Sequence, residues 1–190
     1  MSADEQGSAF YHVFNRLVVM NTLSSTRIHS HPTPQTLKTT IFALQGLPHV
    51  SLKYPGDELR LVAMATPYKM SIMNMKPMPQ IIHRIYWEKE ISEKVVSIAC
   101  LSWLPAKRKK GSNEILNPKL AASFGTHILI LNLDWDEEQT KSVDAISAAI
   151  KITKETSFCI DSPCVALQWI NRQVNLISAH EQDLGLFHES

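Results

Sequence analysis

The fold is decided by residues 100–135, which read CLSWLPAKRKKGSNEILNPKLAASFGTHILILNLDW. The first apolar run stops at Pro105, which cannot donate a hydrogen bond to a continuing ladder, so we expect a β-strand to end there. Residues 119–124 and 127–133 are two further apolar runs joined by a bend at Gly125, a pattern typical of two strands and a tight turn. The stretch therefore predicts three antiparallel strands with a polar insert after the first.

The polar insert, residues 106–117, has no apolar face to bury and predicts a surface loop. It carries the one local charge anomaly of the chain, the basic run Lys107, Arg108, Lys109 and Lys110. Three functional interpretations stay open, namely contact with an acidic partner, contact with an anionic membrane surface, and a nuclear import signal. A solvated loop without a binding role is the plainer alternative.

The same order of strands recurs along the chain. The tripeptide Leu-x-Trp occurs at residues 101–103 and again at 167–169. A strand of small and apolar residues follows at 120–124 and 174–179, and a similar strand stands at 61–65. Spacing of roughly 55 to 65 residues fits a four-stranded propeller blade of about 40 to 50 residues with lengthened loops.

Burial patterns favour stacked blades over a one-faced sheet. Residues 70–75 and 127–133 are apolar on both faces, as expected for strands sandwiched between neighbouring sheets. The sequence therefore predicts an all-β fold, an incomplete WD-repeat-like β-propeller with about three blades of antiparallel strands. Because propellers protect their edges by closing a ring, we expect an open arc with bare end faces.

We treat residues 1–190 as one partial propeller region, in which residues 58–190 form the blades. Residues 1–57 are assigned less clearly, although residues 17–30 have the pattern of a hairpin. After residue 134 we expect a polar insert and then an outer strand near residues 149–153.

Composition excludes several classes of function. The 190-residue chain is 44% hydrophobic and carries 19 basic and 18 acidic side chains, so its net charge of +1 provides no long-range field to attract nucleic acid. No apolar run approaches the roughly 20 residues that span a bilayer. The acidic start of the chain lacks the order of a secretion signal, which favours the cytoplasm. Three cysteines fit neither a disulfide framework nor a zinc site, and we expect buried, reduced thiols.

No set of residues predicts catalysis, a cofactor or a metal. His29 and His31 lie on one face of an extended segment, but the sequence places no third ligand. The methionines are interpreted as core packing; they include Met64, Met70, Met73, Met75 and Met78. No nucleophile elbow, Walker or dinucleotide glycine motif occurs. A small hydrolase thus lacks its nucleophile, base and orienting group, and we expect a non-enzymatic protein without a small-molecule substrate.

Several of these motifs together resemble a known family. In order along the chain they are residues 61–65, residues 69–77, Leu101-Ser102-Trp103, residues 117–121 with the following glycine turn, and residues 167–171. Their succession looks like the β-propeller of the vacuolar-protein-sorting subunit eight family, over roughly residues 58–188.

The resemblance implies a scaffold in an endosomal tether. In that family the propeller precedes a helical solenoid and a RING-type zinc module, and the whole belongs to the CORVET complex. It implies class C sorting subunits and an early-endosomal Rab GTPase as partners, peripheral association with endosomes, and a role in endosome-to-vacuole or lysosome protein transport. This chain has neither the solenoid nor the cysteine-rich end, and its matching motifs are packing residues, so no partner-contact residue is transferred. The alternative hypothesis is a propeller scaffold of an unrelated, nuclear complex.

Overall fold

The computed structural model describes residues 2–3, 8–13, 16–21, 26–32, 41–48, 60–75, 80–91, 98–135, 150–170, 172–178 and 184–187. For residues 2–32, 135, 175–178 and 184–187 the description covers the backbone.

The described strands form four antiparallel sheets, called blades 1 to 4, and one short hairpin. Blade 1 contains β1 (Ser2–Ala3), β2 (Ser8–Val13), β3 (Arg16–Asn21) and β4 (Thr26–Pro32). Blade 2 contains β5 (Ala43–Gly46), β6 (Leu61–Ala65), β7 (Lys69–Asn74) and β8 (Gln80–Tyr86), and the helical turn α1 (Trp87–Glu90) follows it.

Blade 3 begins with β9 (Ala99–Leu104), and the hairpin of β10 (Lys107–Arg108) and β11 (Ile115–Leu116) follows. The blade continues with β12 (Lys119–Phe124), β13 (His127–Trp135) and β14 (Ile150–Cys159). Blade 4 contains β15 (Cys164–Ile170), β16 (Gln173–Ser178) and β17 (Leu184–Phe187).

The blades stack side by side in chain order. Within each blade successive strands are hydrogen-bonded neighbours, so the first strand lies at one edge and the last at the other. Strand β5 contacts β1 and β2, β9 contacts β5 and β6, and β15 contacts β9 and β12. The first strands of the blades therefore line the inner side of an arc. The predicted all-β, open and incomplete propeller is confirmed.

Blade 1 is one sheet beyond the three blades expected from the sequence. It lies in the part of the chain that was assigned less clearly, and its β3 and β4 form the hairpin predicted there. The outer strand expected after residue 134 is β14, whereas the polar insert before it lies outside the described residues. The treatment of residues 1–190 as a single region stays a prediction.

The central strands of blades 2 and 3 are buried on both faces, as the apolar runs predicted. In β6, Leu61, Ala63 and Ala65 join the cluster between blades 2 and 3, while Val62 and Met64 pack on the opposite face. The same alternation occurs in β13, where Leu129, Leu131 and Leu133 face blade 2, and Ile128 and Ile130 face blade 4. Because successive side chains of a strand point to opposite faces, a continuous apolar run fits only a strand with a neighbouring sheet packed on each face.

The cluster between blades 2 and 3 contains an aromatic pair. The rings of Trp87 and Phe124 stack with their centroids 4.0 Å apart, and the Trp87 indole N–H donates to the carbonyl oxygen of Thr66 at 3.0 Å. The β-branched and aromatic residues of 80–87 favour a strand that runs through Trp87, but α1 begins at this residue. The Trp87 side chain is fully buried at this position, so tertiary packing overrides its strand propensity.

Candidate interaction surfaces

The basic insert is an exposed hairpin between β9 and β12. Strands β10 and β11 pair Lys107 with Leu116 and Arg108 with Ile115, and residues 107–114 are all exposed. Gly111 has a φ of 78°, a left-handed conformation that glycine adopts without steric cost. The surface loop predicted over residues 106–117 is exposed at residues 107–114, whereas Ala106 is buried, and it contains two short strands that the sequence did not indicate.

Two of the four basic residues of the hairpin form bonds within it, and the other two do not. Arg108 Nη1 donates to Asn113 Oδ1 at 3.4 Å, and Lys109 Nζ forms an ion pair with Glu114 Oε2 at 3.0 Å. Both bonds tie the two sides of the hairpin together. Among the described residues, none is hydrogen-bonded or ion-paired to Nζ of Lys107 or Lys110. These two ammonium groups are therefore the ones available to a partner.

The turn after β15 places another cation, Arg172, on the same side of the sheets as the basic hairpin after β9. Trp169, near the end of β15, donates to the carbonyl of Ser102, near the end of β9, so the two strands end on the same side. Arg172 follows in the turn with a φ of 67°, a conformation uncommon outside glycine. Its Nη1 atom is buried and has no hydrogen-bond partner. The sequence does not indicate this cation, because backbone conformation and side-chain burial are not visible in the residue types.

The two Leu-x-Trp tripeptides join neighbouring blades. The indole N–H of Trp103 donates to the carbonyl oxygen of Gln45 in blade 2 at 3.0 Å, and that of Trp169 donates to Ser102 in blade 3 at 2.9 Å. The sequence identified the tryptophans as a repeat but not their acceptors. Their role in the described structure is to fix one blade against the next.

The cysteines are free thiols with different environments. Cys164 is buried and Cys100 is partly buried, but Cys159 is exposed, so the expectation of three buried thiols is wrong for Cys159. It ends β14, the outermost strand of blade 3, where no further strand of that blade covers it. A hydrogen bond with the Cys164 side chain and burial raise the pKa of the Cys100 thiol above its ordinary value. Cys100 therefore stays protonated and is a poor nucleophile.

The remaining candidates from the sequence are two histidines and a group of methionines. The side chains of His29 and His31 lie outside the described part of the structure, as does Met78. The other predicted core methionines, Met64, Met70, Met73 and Met75, are all buried. The described residues contain no group of three or more potential metal ligands. A cavity of about 90 Å³ lies between α1 and the outer strands of blade 3, with walls that include Glu90, Phe124 and His127.

No helix in the described ranges is long and apolar enough to cross a membrane. The chain thus presents stacked sheets, an exposed basic hairpin and packing contacts between blades. These features define the class of WD40-like β-propeller scaffolds.

Comparisons with known proteins agree with that class. The chain matches the crystal structure of Saccharomyces cerevisiae Sqt1 with a TM-score of 0.52 and 12% identity, over 92% of this chain and 41% of that one. It matches the WD40 domain of SCAP from fission yeast with a TM-score of 0.50 and 14% identity, over 97% of this chain and 44% of that one. The chain therefore spans less than half the length of each.

The family model of the Vps8 beta-propeller matches residues 1–189, and the chain belongs to this family. The resemblance seen in the sequence is confirmed and extends to the N-terminal blade. A search of curated proteins finds no match.

Proposed function

We propose that the chain is a non-enzymatic interaction scaffold of an endosomal tether, acting in endosome-to-vacuole or lysosome protein transport. The match to the Vps8 beta-propeller family over residues 1–189 carries the proposal. Its partners are class C sorting subunits and an early-endosomal Rab GTPase, and it associates peripherally with endosomes through proteins.

The basic hairpin is the contact surface that we assign to this role. Lys107 and Lys110 are exposed, and their ammonium groups make no bond within the hairpin, in contrast to the guanidinium group of Arg108 and the ammonium group of Lys109. Exposed cations steer an acidic partner and fix its orientation, and their contribution falls as salt is added. We therefore propose an acidic protein surface as the partner of this hairpin.

Localisation and capture of partners test the proposal. The tagged chain is expected on endosomes and in complexes with class C subunits. The double variant Lys107→Ser and Lys110→Ser is expected to weaken capture several-fold with little change in thermal stability, because both side chains are solvated.

The matched control removes two exposed lysines elsewhere, Lys89→Ser and Lys151→Ser, with the same change in net charge. Equal loss of capture by both double variants would mean that net charge, and not the hairpin, binds the partner. Accumulation of the chain in the nucleus that depends on Lys107 to Lys110 would overturn the endosomal role in favour of a nuclear complex.

A further inference from the structure

Arg172 occupies a turn position that favours glycine. Strand β15 ends at Ile170 and β16 begins at Gln173, so the two residues Asn171 and Arg172 connect them. Connections of this length favour Asn-Gly, because the second residue adopts a positive φ. Arg172 has a φ of 67°, where the Cβ atom of any residue other than glycine is crowded. The chain therefore carries an arginine at a position that strains the backbone.

The guanidinium group of Arg172 also has an unsatisfied donor. Its Nη1 atom is buried without a hydrogen-bond partner, and in the described part of the chain it is the one buried side-chain nitrogen or oxygen atom of this kind. Nearly all buried polar groups in proteins are paired, because a buried donor without an acceptor destabilises the fold. Backbone strain and an unpaired donor at the same residue both oppose folding. Together they indicate an acceptor that a binding partner supplies.

The first strands of blades 3 and 4 run side by side in the same direction. Near their starts, Cys100 Sγ lies 3.6 Å from the carbonyl oxygen of Cys164. Towards their ends, the indole N–H of Trp169 donates to the carbonyl oxygen of Ser102 at 2.9 Å. The connections that follow β9 and β15 therefore leave the sheets at the same end.

These two connections are the basic hairpin and the turn at Arg172. In blade 3 the first strand, β9, is joined to its neighbour β12 by the segment that contains the hairpin, and in blade 4 β15 is joined to β16 by the turn. Lys107 and Lys110 are exposed in the first connection, and Arg172 lies in the second. Equivalent connections of neighbouring blades thus place three cations on one surface.

A carboxylate is the acceptor that fits the turn. A guanidinium group is always charged, presents its N–H donors in one plane and binds oxyanions by charge-assisted hydrogen bonds. A phosphate group presents three acceptor oxygens, whereas the turn offers one unpaired nitrogen among the described atoms. The smaller acceptor set of a carboxylate matches this supply of donors better.

We propose that Arg172 binds one carboxylate of an acidic peptide segment, and that Lys107 and Lys110 contact further acidic residues of the same segment. The assignment rests on the proposed function, because the segment belongs to the acidic protein surface that binds the hairpin. Arg172 fixes the position of the segment, since hydrogen bonds from a buried donor are directional. The exposed ammonium groups act mainly through their charge.

The variant Arg172→Gly separates binding from folding. Glycine removes both the crowding at positive φ and the unpaired donor, so Tm should rise by about 2 °C. Binding of a fluorescein-labelled glutamate-rich peptide to the whole chain is measured by fluorescence anisotropy. It should weaken about tenfold in this variant, the loss expected for one charge-assisted hydrogen bond. Arg172→Lys keeps the charge without the planar donors and should weaken binding about threefold.

Two controls accompany these variants. Arg84→Ser removes the same charge from an exposed position of β8 in blade 2, and it should leave the affinity for the peptide unchanged. A glutamine-rich peptide of the same length tests whether charge is needed, and it should not bind. An equal loss of affinity in Arg84→Ser and Arg172→Gly would overturn the proposal in favour of net charge.

Other outcomes would also overturn the carboxylate site. They are an unchanged affinity in Arg172→Gly, and no binding of the glutamate-rich peptide by the unaltered chain. Tighter binding of a phosphoserine peptide that is lost in Arg172→Gly would replace the carboxylate by a phosphate. The double variant Lys107→Ser and Lys110→Ser tests the proposed function separately. If it leaves the affinity unchanged while Arg172→Gly lowers it, the role of the hairpin fails and the Arg172 site stands, whereas the reverse result removes the Arg172 site alone.

Discussion

The stacked rings of Trp87 and Phe124 should stabilise the packing of blade 2 against blade 3, and a double-mutant cycle can measure the coupling free energy between them. Trp87 is 0% exposed and Phe124 is 1% exposed, so each ring is removed from a packed interface. We expect Trp87→Leu and Phe124→Leu each to lower the free energy of unfolding by about 2 kcal/mol. For a chain of this size that corresponds to a fall in Tm of about 4 to 8 °C.

The double variant should lose less than the sum of the two single losses. Stacked aromatic pairs contribute about 0.5 to 1.5 kcal/mol beyond the area they bury, and this coupling disappears with the first ring. The bond from Trp87 to the Thr66 carbonyl does not affect the coupling, because it is missing from both chains that carry Trp87→Leu. Urea unfolding of the four chains, followed by circular dichroism, supplies the free energies.

A control cycle pairs Trp87→Leu with Val174→Ala. Val174 packs in the separate cluster between blades 3 and 4, so these two losses should add. If the Trp87 and Phe124 losses also add to within about 0.3 kcal/mol, the rings do not couple the blades and the reasoning fails.

Three further predictions concern a glycine, the thiols and a histidine. Gly125→Ala should lower Tm by about 3 °C, because Gly125 has a φ of 61°, and Gly125→Asn should lower it less, since asparagine tolerates that conformation; equal losses would exclude backbone strain as the cause. Iodoacetamide on the folded chain should modify the exposed Cys159 well before Cys100, whose pKa is raised, and peptide mass spectrometry that finds Cys100 modified first would contradict the described burial. Burial lowers the pKa of His83 in the folded chain, so its contribution to stability is complete above the ordinary pKa of 6.5 and is lost as the pH falls through the lowered pKa. The variant His83→Gln should therefore show a smaller fall in Tm below pH 6.5. An unchanged dependence of Tm on pH would refute this prediction.

The candidate surfaces were only partly visible in the sequence. The basic run showed where an exposed insert lies, because charge and the lack of an apolar face are local properties. The sequence did not show which of these cations can bind a partner, because that depends on the bonds that Asn113 and Glu114 form with Arg108 and Lys109. The exposure of Cys159 was likewise missed, because it depends on β14 being the last strand of its blade.

The sequence by itself determined most strands of blades 2 to 4, the turns between them, the two-sided burial of β7 and β13, and the family. These features follow from the alternation of side chains along a strand and from turn residues, both of which act over a few positions. Only the tertiary structure decided which groups meet between blades. Trp103 and Trp169 find acceptors 58 and 67 residues earlier in the chain, and no local pattern specifies a carbonyl at that distance. Stacking of the sheets brings these groups together, because each blade buries its apolar face only against the next.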